Sequence, residues 1–204
     1  MNWRVPHLFS ELDPVILEKL EKYNHELVKF NKKLNLVSPH TLDEADVLHF
    51  ADSLFSSQIV YKKVNKNNIL YDVGSGNGFP GLVFGIAFPD VQLALLDVDQ
   101  RKCEFLKHVV ARLQLKNVKV INSKIEDVTE GSIDQIITRG FAPIHKAEDY
   151  FSKPVSTGGR IYYLKSLDWE KERSNLNSGW IYSEVSRYNL PYVDRQMLVI
   201  EGHR

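Results

Sequence analysis

A chain of 204 residues with 26 basic and 26 acidic side chains carries no formal net charge, which excludes a protein that coats nucleic acid through bulk charge alone. Its 43% apolar content suits one domain; no apolar run approaches the length that spans a membrane, and the start MNWRVPHLF lacks the basic and long apolar segments of a signal peptide. Cys103 is the only cysteine, so a disulfide framework and a multi-cysteine metal site are excluded, and a cytoplasmic protein is the expectation.

Asp13-Pro14 marks a helix start, and Ile16, Leu20, Tyr23, Leu27, Phe30 and Leu34 then recur at alternating four- and three-residue steps. That is one apolar stripe on a long helix, expected to pack on the rest of the domain. The segment from Asn35 to Pro39 breaks it. Thr41-Leu42-Asp43-Glu44 reads as a capping box opening a second helix, with Val47, Leu48, Ala51, Leu54 and Phe55 inward. His49, Asp52 and Ser53 then share a neighbouring face, either as a hydrogen-bonded structural cluster or as part of a site. Lys62 to Asn68 is a polar connector. Residues 1–66 are therefore expected to form a helical extension, and residues 67–204 the main domain, as one compact unit.

The most informative stretch follows. Ile69-Leu70-Tyr71 is an apolar strand ending in Asp72, then come Gly74-Ser75-Gly76-Asn77-Gly78, Phe79-Pro80-Gly81 and an apolar helix. A glycine turn between strand and helix lets a ligand lie against the backbone, and N–H groups at the helix start attract its polar or anionic end. A dinucleotide needs its third glycine where Phe79 stands, and the literal match from Gly76 to Gly81 starts late, behind Asp72, which would repel a pyrophosphate. S-adenosylmethionine fits better: Asp72 can meet its ammonium while backbone N–H groups take its carboxylate. Val91 to Leu96 is a second strand, ending in Asp97, about twenty residues past the glycines, where an acid accepts ribose hydroxyls. After a third strand, Val118 to Ile121, the Ile125-Glu126-Asp127 segment is placed to hold the adenine edge.

Further strands are expected at Ile133 to Thr138, Arg160 to Leu164, Trp180 to Val185 and Met197 to Ile200, with a helix from Gln100 to Leu115. Alternation of strands and helices implies an α/β, Rossmann-like, mostly parallel seven-stranded sheet with the ligand at the carboxyl ends of its strands. Cys103 falls among helix residues, where packing is its default role. Basic clusters at Lys29, Lys32 and Lys33, at Lys62, Lys63 and Lys66, and from Arg101 to Lys119 are either solvated faces or RNA contacts. The nucleophile narrows the chemistry. Exocyclic amine methylation uses an Asn/Asp-Pro-Pro-aromatic tetrapeptide after the fourth strand, where this chain has Thr138-Arg139-Gly140-Phe141-Ala142-Pro143. Pyrimidine C5 methylation needs a nearby cysteine, and Cys103 is on the wrong element. A ring nitrogen such as guanine N7 needs neither, because its lone pair carries no proton to remove.

Taken along nearly the whole chain, the residues resemble the bacterial 16S ribosomal RNA guanine-N7 methyltransferases, also called glucose-inhibited division protein B. The resemblance is carried by Asn35 to Ser38, His49 with Asp52-Ser53-Leu54, Asp72 to Gly81, Leu96-Asp97, Arg101-Lys102, Phe105-Leu106, Glu126-Asp127, Thr138-Arg139 and Leu164-Lys165. It implies S-adenosylmethionine-dependent methylation of a guanosine, at position 527 of 16S rRNA in the small-subunit decoding region, with rRNA, an assembling subunit or the small ribosomal subunit as partner. No metal, membrane or obligatory protein partner is implied. By motif position the cofactor residues would be Asp72, Gly74, Ser75, Gly76, Gly78, Phe79, Asp97, Ile125, Glu126 and Arg139. Arg139 and Lys165 would hold RNA phosphate or the guanine O6 edge, with His49 and Asp52 lining the pocket; an ion pair of Arg139 with Asp52 or Glu126 is the structural alternative. Leu48 before the histidine, Gly140-Phe141 after the arginine and Ser166 after Lys165 depart from the family pattern. A methyltransferase for a small molecule or protein, and a non-catalytic RNA-binding assembly factor, remain the other readings.

Overall fold

The computed structural model of the protein describes residues 3–172, 176 and 179–204. Helices come first: α1 (Val5–Leu8), α2 (Pro14–Leu34), α3 (Pro39–Leu42), a π-helical turn (Asp46–Ala51) and α4 (Asp52–Tyr61). Alternation then begins with β1 (Leu70–Val73), α5 (Gly81–Ala87), β2 (Leu93–Asp97), α6 (Gln100–Arg112) and β3 (Val118–Asn122). After a 3-10 turn (Ile125–Asp127) come β4 (Ile133–Arg139), α7 (Ile144–Phe151), β5 (Val155–Ser166), β6 (Ile181–Leu190) and β7 (Arg195–His203).

The seven strands form one sheet in the order β3-β2-β1-β4-β5-β7-β6. The first five are parallel, and β7 runs antiparallel between β5 and β6. Strand order reverses at β1, which has β2 on one side and β4 on the other, so a crevice opens at their carboxyl ends. Strand side chains alternate between two apolar clusters. Leu70, Leu95, Ile137 and Tyr162 join the cluster that includes α2, α5 and α6, while Val73, Leu96, Ile136 and Ile161 join the one containing α7. Burial on both faces is why these strands read as near-continuous apolar runs.

The α2 helix starts where Asp13 accepts the N–H of Val15 at 2.7 Å and Pro14 occupies the first turn; it stops at Asn35, whose φ of 48° is left-handed. Its stripe delivers Leu20, Tyr23 and Leu27 into the cluster shared with Phe79, Leu82, Phe105 and Leu106. Each fully buried leucine contributes about 1.5–3 kcal/mol.

Two expectations change. Thr41 does not cap a helix; the helix already runs from Pro39, and Thr41 Oγ1 donates to the Ser38 carbonyl at 3.2 Å. The chain then passes through the π turn, anchored where Arg4 grips the buried Asp46 carboxylate through Nε (2.8 Å) and Nη2 (2.7 Å). The late strands are also longer than their apolar runs: β5 begins at Val155, β6 reaches Leu190 and β7 spans Arg195–His203. The added residues of β6 and β7 pair along an antiparallel ladder with one half-exposed strand, which needs no continuous apolar run, while β5 gains Val155 beside Ile133 of parallel β4.

Candidate active site

From β1 the chain turns through Gly74, Gly76 and Gly78, with φ of 73°, 56° and 100°. These left-handed values favour glycine over any residue with a Cβ. At Gly78 space is short as well: a Cβ would lie 2.6 Å from Oη of Tyr23. That phenol reaches from α2 to donate to the Asn77 carbonyl, and Asn77 Nδ2 donates to the Leu36 carbonyl at 2.8 Å. The N-terminal helices thus clamp the glycine turn.

The turn is more self-contained than its sequence suggests. Gly74 and Ser75 donate to the Leu96 carbonyl, Gly76 to Asp97 Oδ2, Gly78 to the Ser75 carbonyl and Gly81 to Asp72 Oδ2. Those N–H groups already have acceptors, so they are not the free donors expected for a ligand carboxylate. Asp72 faces inward too. It is fully buried beneath α5, and while Oδ2 takes the Gly81 N–H at 3.1 Å, Oδ1 is buried without a hydrogen-bond partner. Burial pushes its pKa up to about 7, against the Ser75 and Gly81 hydrogen bonds. Asp72 and Ser75 shape the loop from below and do not line the cavity.

That cavity, about 500 Å³, opens at the carboxyl ends of β1, β2 and β4. Of the expected cofactor residues, Gly74, Gly76, Asp97, Ile125 and Glu126 line it; Gly78, Phe79 and Arg139 stand outside its wall. Asp97 is fixed by two backbone donors, Gly76 N–H on Oδ2 at 2.7 Å and Asp99 N–H on Oδ1 at 2.8 Å. Each oxygen keeps a second lone pair, which suits a vicinal diol. A Cβ on Gly76 would meet only the Gly74 carbonyl, at 3.7 Å, so open space lies beside the backbone there. Leu96, Val98, Ile125 and Phe141 supply apolar wall. A diol acceptor, an apolar slot and a glycine edge fit S-adenosylmethionine.

A second cluster lies behind Phe79. Arg139, the last residue of β4, donates from Nη1 to Asp52 Oδ2 at 2.8 Å and to the Leu48 carbonyl at 3.3 Å, and its guanidinium lies 5.5 Å from the Phe79 ring centroid. Of the alternatives for Arg139, the ion pair with Asp52 is the one formed; Glu126 lies in the cavity wall instead. His49 stacks on Phe79 with ring centroids 5.2 Å apart, its Nδ1 3.3 Å from Arg139 Nη2. Burial first, and the Arg139 charge second, bring its pKa down to about 3. The ring is neutral at physiological pH, accepting from Arg139 through Nδ1 and donating through Nε2 toward Thr41 Oγ1. His49 and Asp52 therefore converge on one guanidinium, while Ser53 is buried with its Oγ lacking a hydrogen-bond partner.

Lys165 is paired within the fold. Its ammonium contacts Glu172 Oε1 at 3.0 Å and the Ala142 carbonyl at 3.3 Å, and Glu172 Oε2 accepts the Ile144 N–H at the start of α7. It braces the turn after β4. Three residues escape the sequence reading. Tyr188 of β6 donates to Asp52 Oδ1 at 2.7 Å from 136 positions away, a link no local pattern carries. Phe141 covers Gly74 closely enough that a Cβ there would meet its ring at 2.8 Å. Tyr23 is legible only as stripe, although its hydroxyl reaches the glycine turn.

The mostly parallel seven-stranded sheet, with antiparallel β7 and a cavity at its switch point that fits S-adenosylmethionine, is the fold of the Rossmann-like S-adenosylmethionine-dependent methyltransferases. Solved structures share the fold: an S-adenosylmethionine-dependent methyltransferase from Aquifex aeolicus aligns with TM-score 0.58 at 15% identity, covering 74% of this chain and 92% of that one. An rRNA methylase from Streptococcus thermophilus aligns with TM-score 0.51 at 15% identity, over 73% and 94%. Residues 16–199 match the family described as rRNA small subunit methyltransferase G (GidB), and the chain belongs to that family. Ribosomal RNA small subunit methyltransferase G 3 of Bdellovibrio bacteriovorus is 44% identical over 193 residues, 93% of this chain and 87% of that protein. Ribosomal RNA small subunit methyltransferase G of Paracoccus denitrificans is 31% identical over 187 residues, 92% and 95%. No helix among the described residues is long and apolar enough to cross a membrane, and no cluster of His, Cys, Asp and Glu among them could hold a metal ion.

Proposed function

We propose that this chain methylates guanine N7 of 16S rRNA, in the cytoplasm, as part of small-subunit maturation. Bound in the cavity, S-adenosylmethionine supplies an electrophilic methyl group. Asp97 would hold the ribose and Ile125 and Glu126 the adenine, and the aminoacid end would lie in the open space beside Gly76, with the Gly74 carbonyl as the nearby acceptor for its ammonium. The chain's task is alignment and exclusion of water, and orientation of that kind can supply about 7–11 kcal/mol of barrier reduction.

One observation carries the choice of nucleophile. The imidazole nearest the glycine loop, His49, has its pKa held at about 3 and both ring nitrogens engaged. So weak a base suits a nucleophile with no proton to lose, such as a purine ring nitrogen, and is poorly matched to an exocyclic amine or hydroxyl. Arg139, held by Asp52, would present its remaining N–H donors to guanine O6 or to a phosphate; donation to N7 itself would block the attacking lone pair.

The test offers labelled S-adenosylmethionine with 16S rRNA and with small ribosomal subunits, then maps the product by cleavage at 7-methylguanosine. Label at guanine N7 supports the proposal. Label at a carbon, hydroxyl or exocyclic amine, or transfer to protein alone, overturns it.

A further inference from the structure

The cavity has a basic rim that its own ligand does not explain. Lys102 of α6, Lys124 before the 3-10 turn and Lys146 of α7 line it from three separate elements. Lys124 and Lys146 are exposed and Lys102 is partly so, and none of the three ammoniums makes an ion pair or hydrogen bond among the described residues. Five lysines of the described residues are paired with acids, Lys22, Lys29, Lys66, Lys165 and Lys171, and others such as Lys32, Lys33, Lys62 and Lys63 are as free as these three; what sets Lys102, Lys124 and Lys146 apart is that they converge from three elements on one cavity. In a chain with 26 basic and 26 acidic groups the three ammoniums are a local excess at this cavity, with Asp99 acting on Lys102 only at longer range.

S-adenosylmethionine is itself a cation, its sulfonium and ammonium outnumbering its one carboxylate. Three ammoniums at the mouth weaken its electrostatics, with only Asp97 and Glu126 in the same wall to offset them. Such a rim suits an anion that arrives from outside. An aromatic stands with it: Tyr150 is exposed at 41%, lines the same cavity and leans edge-on against Phe141 at 5.4 Å. Phe141 is stacked in turn on buried Phe151, also at 5.4 Å, so the exposed ring is braced from beneath. Unpaired lysines beside a braced aromatic are the recognition elements of a single nucleic-acid strand, phosphates on the cations and a base on the ring.

We infer that Lys102, Lys124 and Lys146 bind consecutive phosphates of the RNA strand flanking the target nucleotide, with an adjacent base stacked on Tyr150. The strand then crosses the mouth of the cofactor cavity and shields it from water. This inference rests on the proposed RNA substrate and adds the surface by which that substrate is held.

The test compares the intact chain with a Lys102→Gln/Lys124→Gln/Lys146→Gln variant, titrating a 16S rRNA transcript and small subunits between about 50 and 200 mM salt. Three lost single-strand phosphate contacts should flatten the plot of log affinity against log salt by about two and weaken binding about a hundredfold at 0.1 M. Tyr150→Ala should cost about tenfold with the salt slope unchanged. Lys62→Gln/Lys63→Gln, after α4 and beside the amino ends of β4 and β5, should leave slope and affinity as they were. Calorimetry on the free proteins gives a readout independent of turnover. The triple variant should bind S-adenosylmethionine as tightly as the intact chain or more tightly, and neutral S-adenosylhomocysteine equally. A triple variant with unchanged salt slope overturns the inference, as does one that loses S-adenosylmethionine affinity. An intact chain that binds neither RNA nor subunits defeats the proposed function instead.

Discussion

Arg139 and Asp52 hold each other at 2.8 Å across 87 residues of sequence, one ending β4 and the other beginning α4. The pair ties the helical N-terminal segment to the carboxyl end of β4. Its halves are unequal: the Asp52 side chain is 2% exposed and that of Arg139 19%.

That inequality predicts asymmetric variants. Arg139→Ala strands a buried carboxylate and should cost about 3–5 kcal/mol in urea denaturation. Asp52→Ala leaves a guanidinium that can turn toward water, so its loss should be smaller, and the double variant should be more stable than the sum of the two losses implies. S-adenosylmethionine affinity should stay near that of the intact chain in both single variants, since neither residue lines the cavity, while methyl transfer is lost in Arg139→Ala. Equal destabilisation by the two single changes would contradict this account.

Stability against pH should show two opposing slopes. His49 titrates at about 3 in the fold against an ordinary 6.5, so between those values the unfolded chain binds the extra proton and stability rises with pH. Asp72 titrates at about 7 against an ordinary 3.8, so over that interval the folded chain holds the extra proton and stability falls as pH rises. Each full slope is about 1.4 kcal/mol per pH unit, and the two largely cancel between about pH 4 and 6.5. Asp72→Asn should expose the His49 limb, with stability dropping as pH falls below 6.5. His49→Gln should expose the other limb, with stability dropping as pH climbs toward 7. Chemical denaturation at several pH values decides; parallel profiles for the two variants would count against the assignment.

Gly74→Ala should strike the cofactor edge twice. A φ of 73° costs a residue with a Cβ about 1–2 kcal/mol, and the new methyl group would meet the Phe141 ring at 2.8 Å. Cofactor affinity by calorimetry should fall along with thermal stability. Adding Phe141→Ala should recover part of the steric loss and none of the backbone loss. If the double variant binds no better than Gly74→Ala, crowding by Phe141 is not the cause.

What is legible in the sequence is what is local. The strand, glycine turn and helix, the acid closing β2 and the α2 stripe are fixed by spacing within a few residues, and they lie where expected. The direction of Asp72 is not local. It shares a strand face with Leu70, and β1 is buried on both faces, so period two gives no inside or outside to choose between. Asp97 points to the cavity because its strand ends there and two backbone N–H groups turn its carboxylate. The π turn at Asp46–Ala51 carries no composition that separates it from an α-helix, so the second helix reads as continuous. Lys165 illustrates a further limit: its motif position is visible, but its partner Glu172 belongs to a turn whose packing depends on α7.

Tyr188 offers the sharpest test of the N-terminal clamp, because its removal deletes one oxygen and no volume from the ring. Its hydroxyl, buried behind β6, donates to Asp52 Oδ1 at 2.7 Å while Arg139 holds Oδ2. Burial, followed by the charge and hydrogen bond of Asp52, drives its pKa far above the ordinary range, so it remains a donor at every pH at which the protein folds. A hydrogen bond to a charged group contributes about 1.5–3 kcal/mol, and Tyr188→Phe should lose roughly that in denaturant unfolding. With one of its two side-chain partners gone, Asp52 should hold Arg139 less rigidly. Methyl transfer should therefore slow through a lower kcat, with S-adenosylmethionine affinity unchanged. In an Asp52→Asn background the same substitution should cost much less, since the charged acceptor has gone. A cost that persists undiminished there would mean that Tyr188 acts through the Asp52 main-chain carbonyl, 3.3 Å from its hydroxyl, and not through the carboxylate.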